Sequence, residues 1–131
     1  MNWYIAGDVQ AGGHWEVVVS DSWLVRAQAE APDNAVLARI DPYGDTTLDR
    51  TDLLTLLEGL EALQVQSREA MMSEVIRSGR LPRDPEVRAK LVASLVDKRL
   101  AAEPFQKSLD DLFILVELAI ETGTAVHIIG D

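Results

Sequence analysis

The spacing of apolar residues changes near residue 48, and that change limits the chain to folds that join a sheet to a set of helices. Before it, β-branched and aromatic runs are short and bounded by turn residues, the pattern of strands. Met1–Val9 holds Trp3, Tyr4 and Ile5, and the Ala11-Gly12-Gly13 turn leads to His14-Trp15-Glu16-Val17-Val18-Val19, so the two read as a hairpin. Ser22–Glu30 reads as a further strand, with Trp23, Val25 and Ala27 on one side and Leu24, Arg26 and Gln28 on the other. Pro32-Asp33-Asn34 is a turn, Ala35–Ile40 a short strand, and Asp41-Pro42-Tyr43-Gly44-Asp45 a tight turn.

After residue 48 the period is helical. Leu53, Leu54, Leu56, Leu57, Leu60 and Leu63 recur at helical offsets with Glu58 and Glu61 between them. Asp49 is the expected N-cap and Asp52 suits the first turn. The helix either runs to Gly79 or breaks near Ser67. Asp84-Pro85 restarts a helix with a cap residue and proline at the first helical position. It presents Val87, Leu91, Leu95, Val96 and Leu100. Beyond Pro104, Ser108 and Asp111 read as the capping pair of a last helix. Its apolar face is Leu109, Leu112, Phe113, Val116 and Ile120, and Gly123 closes it. Thr124–Ile129 is a β-branched strand. The expected fold is α+β: an antiparallel sheet of four to five strands packed against three to four helices, with the C-terminal strand returning to the sheet. Residues 1–131 form one domain, mainly β over 1–48, helical over 49–123, and a strand over 124–131.

No spacing supports catalysis or a metal site. The candidate zinc ligands His14, His127, Asp8 and Asp131 are scattered, and a strand histidine with a satisfied hydrogen bond explains His127 better. Asp41–Asp52 fails as a calcium loop, because Pro42 and Tyr43 stand at its second and third positions. Asp110, Asp111, Glu58, Glu61, Glu117 and Glu121 read as solvated helix faces rather than a catalytic carboxylate pair. Neither a nucleophilic serine motif nor a glycine-rich phosphate loop is present. Arg77, Arg80, Arg83, Arg88 and Lys90 read as a solvated turn between helices. The chain is therefore expected to be neither an enzyme nor a holder of a cofactor or metal.

Charge then sorts the partners. Twenty-two acids against twelve bases give a net charge of −10. Such a field repels nucleic acid and anionic lipid, and it speeds encounter with a basic protein. The absence of cysteine, of a basic-then-apolar leader and of any span of about 20 apolar residues fits a cytoplasmic protein. Trp3 and Tyr4 alternate along a strand, so they face opposite sides, and one of them is expected away from the helices.

Three segments carry a resemblance: Asp41-Pro42-Tyr43-Gly44-Asp45-Thr46-Thr47-Leu48-Asp49-Arg50, the run from Leu53 to Leu63, and His127-Ile128-Ile129-Gly130-Asp131. With a β-rich start, these resemble small bacterial immunity proteins of polymorphic and contact-dependent toxin systems. The resemblance implies an inhibitor that binds a cognate, basic toxin and covers its active site. The expected contact residues are Asp41, Tyr43, Asp45, Asp110, Asp111 and Glu117. The alternative reading is a homo-oligomeric structural or adaptor protein that uses its leucine-rich helix surface; a carboxylate-dependent enzyme ranks below both.

Overall fold

The structure, a computed structural model, describes residues 1–5 and 16–130. The turn Ala11-Gly12-Gly13, together with Asp8, His14, Trp15 and Asp131, lies outside them. The described elements are β1 (Asn2–Ile5), β2 (Glu16–Val18), α1 (Asp21–Glu30), α2 (Ala35–Arg39) and β3 (Thr46–Leu48), followed by α3 (Arg50–Ser78), α4 (Pro85–Ala101), α5 (Pro104–Thr122) and β4 (Val126–Ile129). The fold is α+β, with four strands and five helices among the described residues.

The sheet order is β2-β1-β4-β3 and every pairing is antiparallel. β1 pairs with β2 as the hairpin reading expects, and Met1 extends the ladder by exchanging backbone hydrogen bonds with Val19 at 3.0 and 2.9 Å. The C-terminal strand β4 inserts between β1 and β3. Alternation splits the sheet into two faces. Trp3, Ile5, Val17, Leu48, Val126 and Ile128 are buried against the helices. Glu16, Val18, Thr47, His127 and Ile129 are exposed on the other face, where Tyr4 is half-buried. His127 is satisfied there: its Nδ1 and Thr47 Oγ1, on directly opposed residues, share a hydrogen bond of 2.9 Å.

Two segments expected as strands are helices. Ser22–Glu30 lies in α1, where Ser20 Oγ caps the helix by accepting from Trp23 N at 3.2 Å. Trp23, Leu24 and Ala27 face the core, an offset no strand can bring to one side. Ala35–Ile40 is the short helix α2, with Ile40 as its C-cap residue and Asn34 capping Leu37 N at 3.0 Å. Among the described residues, 1–48 are thus mixed rather than mainly β, and the helices number five rather than three to four.

The later boundaries follow the sequence signals with one exception. Asp49 and Asp52 form a reciprocal capping box at the start of α3. α3 is continuous through Ser67 and stops at Gly79. Asp84 caps α4 by accepting from Glu86 N and Val87 N, and Pro85 takes the first helical position. Ser108 and Asp111 do not cap α5, because that helix already starts at Pro104 and both residues lie inside it. Gly123 ends α5 at φ 68°, a left-handed conformation that glycine adopts without strain.

The main core joins the sheet to Trp23, Leu24, Leu37, Leu53, Leu56, Leu60, Leu63, Leu109, Leu112, Leu115 and Val116. Trp23 stacks on Phe105, with centroids 5.5 Å apart, and its Nε1 donates to Phe105 O at 3.1 Å. A second, smaller cluster holds Met71, Val75, Val92 and Val96. The far half of α3 and α4 therefore pack on each other as a helical hairpin beyond the main core.

Candidate partner-binding surface

The turn Asp41–Asp45 is built by its own side chains. Asp41 Oδ1 accepts from Tyr43 N at 2.9 Å, and Asp41 O accepts from Gly44 N at 3.2 Å. Asp45 Oδ1 accepts from Gly130 N at 3.3 Å, which ties the turn to the end of β4. A Cβ at Gly130 would stand 2.6 Å from Gly44 N and O, so only glycine allows this close approach. These contacts hold Tyr43 outward, 72% exposed, between two exposed carboxylates. An aromatic ring on a pinned turn loses little freedom when a partner covers it.

Asp110, Asp111 and Glu117 sit elsewhere. Asp110 Oδ1 accepts from Gln106 Nε2 at 2.8 Å and from Gln64 Nε2 at 3.1 Å, so it bridges α5 to α3. Asp111 is half-buried and pairs with Lys107 at 3.3 Å. Glu117 is exposed two turns beyond Asp110 on the same side of α5. The turn leads into the edge strand β3, over which α3 packs, whereas α5 packs over β1 and the opposite edge strand β2. No hydrogen bond or ion pair among the described residues joins the turn to these acids. The six residues form two patches, not one.

Two further features depend on Ser22–Glu30 being helical and on the connection that follows it. The first is a surface groove of about 310 Å³ between the α1–α2 connection and α3, lined by Glu30, Asp33, Asn34, Glu58 and Gln66 among others. Its carboxylates suit an ammonium or guanidinium group. They do not converge as metal ligands, since no three acid or histidine side chains among the described residues could hold an ion. The sequence signals for this groove were Ser20 and Asn34, each a preferred N-cap residue before an alanine-containing segment.

The second is a cavity of about 110 Å³ between α1, α3 and the start of α5, lined by Arg26, Ser67, Glu74, Glu103, Phe105 and Gln106 among others. Gln106 is 9% exposed, and its Oε1 and Ser67 Oγ have no protein partner. Arg26 lies over the Phe105 ring at 3.9 Å and pairs with Glu30 at 3.1 Å. The cavity has room for about three to four waters, whose hydrogen bonds would satisfy both buried atoms. It belongs to the packing of α5 rather than to the outer surface.

The outside is acidic on balance, with an exposed basic cluster of Arg77, Arg80, Arg83 and Arg88 around the α3–α4 turn. The ion pairs among the described residues engage Glu30, Asp52, Glu86, Asp97 and Asp111. Of these, Asp52 is the best held: the Arg39 guanidinium beside it, at 2.9 Å, keeps its carboxyl below the usual carboxylate range. Arg39 thereby braces α2 against the start of α3. Tyr43, Asp41, Asp45, Glu58, Glu61, Glu69 and Glu117 remain exposed and outside these pairs. No helix among the described residues is long and apolar enough to cross a membrane.

Comparison with models of protein families finds no match, and comparisons with curated proteins and with solved structures find none either.

Proposed function

We propose that this protein is a non-catalytic binding protein that neutralises a basic protein toxin, as an immunity protein does, by covering its active site. One observation supports the reading above the others: a net charge of −10 whose acids stand on the surface, largely outside ion pairs. A surface of this kind raises the local concentration of a basic partner and orients its approach. It also selects against nucleic acid and anionic membranes, whose phosphates carry the same sign. The turn bearing Tyr43 adds an aromatic contact beside the carboxylates of Asp41 and Asp45, the composition of a desolvated anchor within a charged rim. The work is done in the cytoplasm of the producing cell, where an inhibitor meets its toxin before harm is done.

The test is recovery of partners by the tagged chain from its host, identified by mass spectrometry. The expected result is one stoichiometric basic protein that is toxic alone and harmless when co-expressed with this chain. Its association rate should fall steeply as salt rises. An association rate indifferent to salt would remove the electrostatic basis of the reading.

A further inference from the structure

α3 is 29 residues long, and one whole side of it is left uncovered by the described residues. At 100° per residue, positions 54, 58, 61, 65, 69, 72 and 76 fall within about 40° of one line down the helix. The opposite side carries Leu53, Leu56, Leu60 and Leu63, all fully buried. α4 and α5 pack around that buried side. On the open line stand four large apolar side chains: Leu54, 45% exposed, Val65, 56%, Met72, 38%, and Ile76, 44%. Between them stand Glu58, Glu61 and Glu69, all exposed. The line holds no base; the nearest, Arg68 at its edge, is held by Asp97 at 2.6 Å.

We infer that this face of α3 is a docking surface for an amphipathic helix of a partner protein bearing lysine or arginine among its apolar residues. The inference rests on the basic-partner reading above and assigns it a place. From Leu54 to Ile76 the line spans about 33 Å, enough for a partner helix of about 22 residues. Helical offsets on this face give ridges and grooves into which another helix packs, and a methionine within them adapts to the partner's shape. Bases on the partner would meet Glu58, Glu61 and Glu69 while its apolar residues cover Leu54, Val65, Met72 and Ile76. The acid groove of Glu30, Asp33 and Glu58 adjoins the line and extends the same complementarity.

A second copy of this chain fits the face badly. Antiparallel pairing centred on Val65 sets Leu54 against Ile76, but it also sets Glu61 against Glu69 twice and Glu58 against Met72 twice. Parallel pairing in register sets every glutamate against itself. Both arrangements bury like charges together, a cost of several kcal/mol that a basic partner avoids.

The probe is a synthetic helix of about 22 residues with leucine on one side and lysine on the other, compared with a scrambled isomer of equal charge. Binding to the full chain is read by fluorescence anisotropy, and its place by backbone amide shifts. The expected result is saturable one-to-one binding, with shifts along α3 and the scrambled isomer weaker by about tenfold or more. Val65→Ser with Met72→Ser, and separately Glu61→Lys with Glu69→Lys, should each weaken binding by about tenfold or more. These positions are exposed, so circular dichroism should show both variants folded, and Glu121→Lys, an exposed acid at the end of α5, should bind nearly as well as the parent. If the peptide binds but both α3 variants bind as tightly as the parent, the docking face is wrong while the basic-partner reading stands. If neither isomer binds, or both bind equally, the docking face is wrong, and the basic-partner reading is decided separately by the recovery of partners from the host. A chain that sediments as a dimer, and as a monomer once Val65→Ser and Met72→Ser are introduced, would make the face a self-association surface and overturn the inference.

Discussion

Asn34 and Gly59 show how much one pair of residues can decide. Asn34 Oδ1 caps α2 by accepting from Leu37 N at 3.0 Å, and its Nδ2 donates to Thr55 O at 2.9 Å on α3. Gly59, buried in the middle of α3, leaves the space this side chain occupies: a Cβ there would stand 2.4 Å from Asn34 Nδ2. Glycine to alanine inside a helix ordinarily stabilises by about 1 kcal/mol. Here the added methyl group displaces a side chain that makes two hydrogen bonds, one of them a helix cap. Each such loss costs about 1 kcal/mol or more, and the crowding adds to it. Gly59→Ala is therefore expected to destabilise by roughly 1–3 kcal/mol net. Gly59→Ala combined with Asn34→Ala should recover part of that loss, because the clash disappears. Chemical denaturation of the parent and the two variants checks both signs; a Gly59→Ala protein more stable than the parent would show that helix propensity wins and that Asn34 is free to move.

Helices longer than about three turns are legible in the sequence, and shorter ones are not. α3, α4 and α5 each repeat an apolar offset often enough to declare a helix, and Asp49, Asp84, Gly79 and Gly123 mark their limits. The ten residues of α1 satisfy both periods: Trp23, Val25 and Ala27 alternate, while Trp23, Leu24 and Ala27 share a helix face, and only the core shows which set is buried. α2, at five residues, is too short for any period. β3, three residues at Thr46–Leu48, is too short for any period, and its pairing with β4 is a contact between residues some 80 positions apart that no local pattern encodes. The candidate surface suffered similarly. The turn's acids were visible as residues, but the split between Asp45 and Asp110 depends on which helix covers which strand. The second cluster likewise follows from packing alone. α4 buries only Val92 and Val96, against seven buried residues in α5. Few buried apolar contacts mean a low local opening free energy. Native-state hydrogen exchange is accordingly expected to show α4 amides opening well below the global unfolding free energy, while the central amides of α5 open only globally. Equal protection of both helices would show that the α3–α4 hairpin is part of one cooperative core.

At the scale of the molecule, two electrostatic effects compete and salt separates them. The ion pairs of Glu30, Asp97, Glu86 and Asp111 lie at the surface, where each contributes only about 0–1 kcal/mol and is weakened by salt. Against them stands the self-repulsion of ten uncompensated negative charges. At low ionic strength this repulsion reaches well beyond neighbouring residues; at 0.1 M the screening length is about 10 Å. The repulsion has many more terms than the few attractive pairs, so screening should relieve more than it removes. Raising sodium chloride is therefore expected to raise the melting temperature of the free protein, by roughly 5 °C for each kcal/mol or so of relieved repulsion in a chain of this size. Complex formation with a basic partner depends on the same charges in the opposite sense and should weaken over that salt range. Calorimetric melting of the free chain and partner titration, run in the same buffers, give the two slopes. Opposite signs mean that the acidity is held at a cost to the fold because binding uses it. A melting temperature that falls with salt would mean instead that the ion pairs outweigh the repulsion and that the acidic surface contributes to the stability of the fold itself.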